Sequence, residues 1–241
     1  QVVAFIQSQT YFFPVAVFFI VILSAQMIMT SVAGEKENKT LETLLSSPID
    51  RRLLVMSKLT ASAVIAAALS AAYMLGMRSF MSGITAETSL GAAAGVAAAG
   101  PALAKLGLLI MPSGYFLIGI SVLFCILCAL SIAFILGVLS EDLKSTQAMM
   151  TPLMMALMLS YLLPIFIDLS SANFGIKFLL YAIPFTHAFM APQNMMMGNI
   201  EQVLWGIAYQ AAIFTVCVFY AARLFSGEDL LTMRLKFGRK K

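Results

Sequence analysis

Histidine is almost missing from this chain: His187 is the only one in 241 residues, beside one tryptophan, three cysteines and a charged fraction of 11%. A single histidine excludes an H-E-x-x-H zinc site and any multi-histidine metal cluster. There is no G-x-S-x-G elbow, and His187 falls in an apolar break where it reads as a structural, interfacial side chain rather than a catalytic one. A G-x-x-x-x-G-K-[ST] nucleotide loop is lacking as well, so uphill work must draw on an ion gradient or on a separate ATPase. Three cysteines cannot form a disulfide framework, and the C-x-x-C of Cys125 and Cys128 lies inside the apolar run ISVLFCILCALSIAF, where small packing side chains are the simpler reading.

The scarcity of charge defines the class. Apolar residues make up 61% of the chain, and long windows hold no charge at all, which marks a polytopic all-α membrane protein rather than a soluble core. The formal charge of +4 is modest and sits in loops and tail, so it speaks for membrane topology and against nucleic acid as a partner. Seventeen methionines are present. Those at Met149, Met150, Met154, Met155, Met158 and Met195 to Met197 would suit Cu(I), but flexible filler for packing is the simpler reading.

A helix needs ~20 apolar residues to cross a bilayer. Five stretches qualify, at 11–33, 59–77, 112–139, 146–167 and 202–222. Pro14 is expected in the first turn of the first span, where its missing N–H has no helical partner to lose. The Ala and Ser content of the second span predicts close packing against protein. Gly91 and Gly95 have the spacing of a small-residue helix contact in a run that reads equally well as a loop. SEDLKS forms a tight polar turn before the fourth span. Residues 168–201 are too apolar for water and too often broken, at Pro184, Pro192 and Gly198, for a span, so a re-entrant hairpin is predicted. No acid lies in a span core, and Asp168 and Glu201 read as interfacial.

Twelve of the fifteen Lys and Arg residues fall on the side of residues 34–58 and of the 223–241 tail, leaving Arg78, Lys105 and Lys177 on the other. That bias predicts a cytoplasmic C-terminus and an external hairpin, and it makes the Asn38-Lys39-Thr40 sequon a chance match. Five spans then place residue 1 outside, so a sixth helix is expected upstream.

The one long charged insertion is 34–58. Leu41, Leu44 and Leu45 share a helical face from which Glu35, Glu37 and Lys39 are excluded. Ser47 and Pro48 stop this helix, and Asp50 caps a second one running from Arg51 into the next span. A segment that only reversed direction would be shorter. The series Glu35, Glu37, Thr40, Leu41, Glu42, Leu44, Leu45, Pro48, Asp50, Arg51, Arg52 and Lys58 resembles the cytoplasmic coupling segment of type 2 ABC transporter permeases, with the sodium-efflux-like group the nearest. SEDLKSTQAMMTPL, YAIPFTHAF and ARLFSGEDLL extend the resemblance over most of the chain.

The resemblance implies a six-span permease half in the plasma membrane. It would pair with itself or a relative and dock ABC ATP-binding subunits on the coupling segment, and it would bind no cofactor of its own because ATP is held by the partner. A gradient-driven carrier is the alternative within transport and should show buried acids or paired broken helices. A membrane-embedded enzyme is a third reading, disfavoured by the absence of a Ser, His or carboxylate constellation in the spans.

Overall fold

The computed structural model describes residues 2–38, 51–85, 112–140, 142–166 and 173–226. Seven helices run through them: α1 (Val2–Glu37), α2 (Arg51–Thr85), α3 (Pro112–Leu139), α4 (Leu143–Phe166), α5 (Phe174–Ala182), α6 (Pro184–Met196) and α7 (Ile200–Ser226). Parts of α1, α2, α3, α4 and α7 are long and apolar enough to cross a membrane, and α5 and α6 form a pair bent by 104°. The all-helical, multi-pass class expected from the sequence is therefore observed. The Gly91 to Gly95 contact, Lys105, Asp168 and the tail beyond Ser226 lie outside the described residues.

The α3 helix is the axis of the bundle. In its spanning window 67% of residues are buried, against 17% to 39% in the other four candidates, because α3 packs against α1, α2, α4, α6 and α7. It has the highest apolar content and no charge, so burial on every side costs it nothing in polar desolvation. Cys125 and Cys128 are fully buried here, as small packing residues should be. At Gly137 a Cβ would lie 3.0 Å from the Met29 carbonyl oxygen, so the crossing of α1 and α3 depends on having no side chain at that position.

Helix ends depart from the sequence reading in a consistent way. The α1 helix starts well before Tyr11, so Pro14 is inside it rather than in its first turn. One missing N–H to the carbonyl of residue 10 is tolerated in a helix with many other bonds intact. At its other end α1 continues past Ala33 through Glu37, with the Asn38 N–H donating to the Gly34 carbonyl at 3.0 Å. The α2 helix likewise runs beyond Met77 and Arg78 to Thr85. A charge ends the membrane-compatible stretch, but backbone hydrogen bonding carries the helix on.

The second span packs against protein along one face, as its small residues predicted. Only the stripe of Ser62, Ala66, Ser70, Tyr73 and Met77 is buried, while Val64, Ile65 and Leu75 are exposed. With Leu23, Met27 and Phe219 they belong to the apolar outer surface that a bilayer would cover. The α4 methionines divide in the same manner. Met149 and Met150 pack inward, whereas Met154, Met155 and Met158 lie on the exposed face.

Candidate functional site

Two polar constructions interrupt this apolar bundle, one at each end. The first is built by the last turn of α1, whose three consecutive charges engage three different helices. Glu35 pairs with Lys58 on α2. The Lys36 ammonium donates to the carbonyls of Val138 (2.9 Å) and Ser140 (2.8 Å) at the end of α3. Glu37 accepts the Leu143 N–H at the start of α4 at 3.1 Å.

The chemistry of helix ends explains the pattern. A helix C-terminus leaves its last carbonyls unpaired and carries partial negative charge, and an N-terminus leaves free N–H groups and carries partial positive charge. The α3 and α4 helices are antiparallel neighbours, so their adjoining ends have opposite polarity. Adjacent residues of α1 supply the matching cation and anion. The turn between the two helices is itself fixed by a reciprocal cap: Asp142 Oδ1 accepts the Ser145 N–H (2.6 Å), and Ser145 Oγ accepts the Asp142 N–H (3.1 Å). Below it, the buried Thr146 hydroxyl donates to the Asp142 carbonyl at 2.8 Å and lies 3.1 Å from the Ser140 hydroxyl.

The Ser145 amide and hydroxyl hold the Asp142 carboxyl below its ordinary range. A lowered carboxyl favours the fold fully above the ordinary carboxylate pKa, and that contribution disappears as pH falls through the lowered value. The cap is therefore charged throughout the neutral range.

The second construction is the break between α5 and α6. Ile183 is extended (φ −85°, ψ 119°), and Pro184 opens α6 at its first position, so the bend falls at Pro184 as the sequence predicted. Gly198, at φ +76°, ends the hairpin in a conformation suited to glycine. Pro192 breaks nothing and sits inside α6.

A helix break buried among other helices exposes carbonyls that lipid cannot satisfy. Here side chains meet them. His187 Nε2 lies 3.1 Å from the Tyr181 carbonyl, which assigns the proton of the neutral ring to that nitrogen. The Tyr209 hydroxyl donates to the Ala182 carbonyl at 2.7 Å, and the Gln210 amide donates to the Pro184 carbonyl at 3.0 Å. Gln210 is fully buried, and its carbonyl oxygen accepts from Ser121 of α3 at 3.3 Å. One α7 side chain thus joins α3 to the turn of the hairpin. The α6 helix itself packs against α1, α3, α4 and α7, which places a half-length helix inside the bundle.

Close approach of α6 to α7 depends on Gly206. A Cβ there would lie 2.9 Å from His187 Cβ and 3.0 Å from Nδ1. Gly206→Ala should therefore displace His187 and its bond to Tyr181, lowering stability by about 1–3 kcal/mol as overpacking does. Thermal unfolding of the purified variant in detergent checks this, with Gly76→Ala, where a Cβ would meet nothing within 4 Å, as the control for the same substitution in open space.

Of the residues singled out from the sequence, Glu35, Glu37 and Lys58 are brought together at the end of α1. Arg51 and Arg52 open α2. Thr40, Leu41, Glu42, Leu44, Leu45, Pro48 and Asp50 lie outside the described residues. Sequence reasoning missed Lys36 and Gln210. The first has backbone partners more than a hundred residues away, which no spacing reveals, whereas a glutamine in the middle of an apolar span was a readable signal.

No curated protein and no solved structure matches the chain. The family model described as ABC-2 family transporter protein matches residues 6–223, and the chain belongs to that family of transmembrane transport subunits.

Proposed function

We propose that this protein is the permease subunit of an ATP-driven exporter, powered through residues 34–58 by a separate ABC ATP-binding subunit. The observation that carries the reading is the last turn of α1. It leads directly into the segment at 39–50, and its charges grip α2, α3 and α4 at once. A push delivered to that segment would reach four of the five spanning helices without crossing the apolar core. Family membership supports an ATP-binding partner in general terms. The lack of a nucleotide loop in the sequence supports placing ATP on that partner.

In this reading Thr40, Leu41, Glu42, Leu44, Leu45, Pro48, Asp50, Arg51 and Arg52 form the docking surface. Glu35, Glu37 and Lys58, with Lys36, link it to the bundle. The leucines supply contact area, and the flanking charges set orientation more than affinity. The charged end faces the cytoplasm of a cell whose plasma membrane holds the protein, as the distribution of Lys and Arg supports. A second permease subunit, identical or related, completes the path, and substrate moves outward. The likeness of 35–58 to sodium-efflux-like permeases supports that branch of the family.

A gradient-driven carrier has one observation in its favour, the broken pair α5 and α6. Against it, the buried polar side chains among the described residues are Ser, Thr, Asn and Gln, without Asp or Glu. Charge reversal at the docking surface tests the main reading. Glu42→Lys or Arg51→Glu, reconstituted with the ATP-binding subunit, should separate ATP hydrolysis from transport. Wild-type coupling with both charges reversed contradicts it.

A further inference from the structure

A cavity of about 1000 Å³ opens at the hairpin end, between the last turn of α4, both halves of the hairpin and the first turns of α7. Four carboxamides line it, Gln193, Asn194, Asn199 and Gln202, together with the rings of Tyr181 and Trp205. Lys177 also lines it, and no carboxylate does among the described residues.

Asn194 is the informative member. Its backbone is fixed, since its carbonyl accepts the Asn199 N–H at 2.8 Å, and the residue is only 8% exposed. Its side-chain amide nevertheless makes no hydrogen bond to a described residue. Among those residues the one sealed side-chain polar atom without a partner is the Thr186 hydroxyl, so the Asn194 amide is not walled in and opens onto the cavity that the residue lines. A nearly buried carboxamide with nothing to bond is costly unless a ligand or water completes it.

Pro164, Ile165, Phe166, Met190 and Met197 make the apolar part of the wall, and its polar part bears on the ligand chemistry. Each carboxamide offers an acceptor and two donors. A hydroxyl is both donor and acceptor, so a ligand dense in hydroxyls matches several carboxamides at once. Aromatic rings match the apolar faces of a sugar ring. A metal cation or an ammonium group would find no anionic partner among the described lining residues, and burying it there would be unfavourable. The volume is at the upper end of small-molecule sites and accommodates one or two sugar rings. We propose that this cavity binds a sugar or polyol group, either free or as the head group of a glycolipid. The assignment stands on the cavity alone and is independent of how transport is powered.

Trp205 is the one tryptophan of the chain and lies in the wall, so its emission reports occupancy directly. The 241-residue chain, purified without sugar-based detergent and placed in phosphatidylcholine vesicles, is titrated with maltose. A parallel series carries increasing diglucosyl diacylglycerol in the vesicles, and sodium chloride and choline chloride serve as cation controls. The expected result is a saturable change in Trp205 emission in at least one sugar series. A response to maltose identifies a free sugar, and a response to the glycolipid alone identifies a lipid head group. Asn194→Leu, and separately Gln202→Leu at an exposed position that tolerates replacement, should raise the midpoint about tenfold or more. No saturable change in either series, unchanged midpoints in both variants, or an equal response to sodium or choline overturns the proposal.

Discussion

Lys36→Met should leave ATP hydrolysis by the partner subunit nearly intact while lowering ATP-driven transport by about tenfold or more. The ammonium makes two charge-assisted bonds to the Val138 and Ser140 carbonyls, where α3 has its unpaired acceptors and its negative pole. A hydrogen bond from a charged group contributes about 1.5–3 kcal/mol, and about 1.4 kcal/mol is a factor of ten in the population of the joined state. Methionine preserves the length and apolar body of the side chain and removes only the charge and the donors. Under the proposed coupling the docking residues themselves are unchanged, so the partner could still bind and turn over ATP. Its motion would no longer be passed to the turn between α3 and α4. Lys36→Arg keeps a cation within reach of both carbonyls and should restore most of the transport. Equal loss in the Arg and Met variants, or loss of ATP hydrolysis and transport in parallel, would point to general destabilisation instead.

Gln210→Leu should weaken the other end of the bundle. The leucine fits the same volume, so the change isolates polar satisfaction. Ser121 loses its partner, and the Pro184 carbonyl loses the amide that ties the hairpin turn to α7. The Pro184 carbonyl keeps its partner within α6, so the cost is that of a buried hydroxyl left unpaired, about 1–3 kcal/mol, toward the low end because Ser121 can turn its hydroxyl to a carbonyl of its own helix. The expected signature is local. Amide hydrogen exchange should rise around residues 181–187 and the start of α6, with little change where α1 crosses α3 at Gly137. Tyr209→Phe, which frees only the Ala182 carbonyl, should give a smaller shift of the same kind. A uniform loss of protection across all helices would show instead that Gln210 holds the core as a whole.

Much of this architecture was readable from the chain because a membrane imposes simple constraints. Length and lack of charge located the five candidate spans, and Pro184 located the bend of the hairpin, since each of these signals is local. Helix ends were less legible. Charge at Glu35 or Arg78 shows where lipid must end, but backbone hydrogen bonding carries the helices on, to Glu37 in α1 and as far as Thr85 in α2. The contacts of Lys36 were hidden for a different reason: their acceptors are main-chain carbonyls, which every residue has and no side-chain pattern marks. Glu35 and Glu37 were visible as charges on the segment proposed for coupling, but their folding onto Lys58 and the start of α4 depends on how α1 crosses the bundle. Small residues in α2 predicted close packing against protein, and one stripe of them makes it.

The most direct test of ATP-driven coupling is affinity purification of the chain from its own membrane, followed by assay for an ATP-binding subunit and its hydrolysis. An ABC ATP-binding subunit should be recovered with the wild-type chain. Glu42→Lys combined with Arg51→Glu should lose either that subunit or the link between its hydrolysis and transport. Recovery of the chain alone, transporting in vesicles on an ion gradient without ATP, would contradict it.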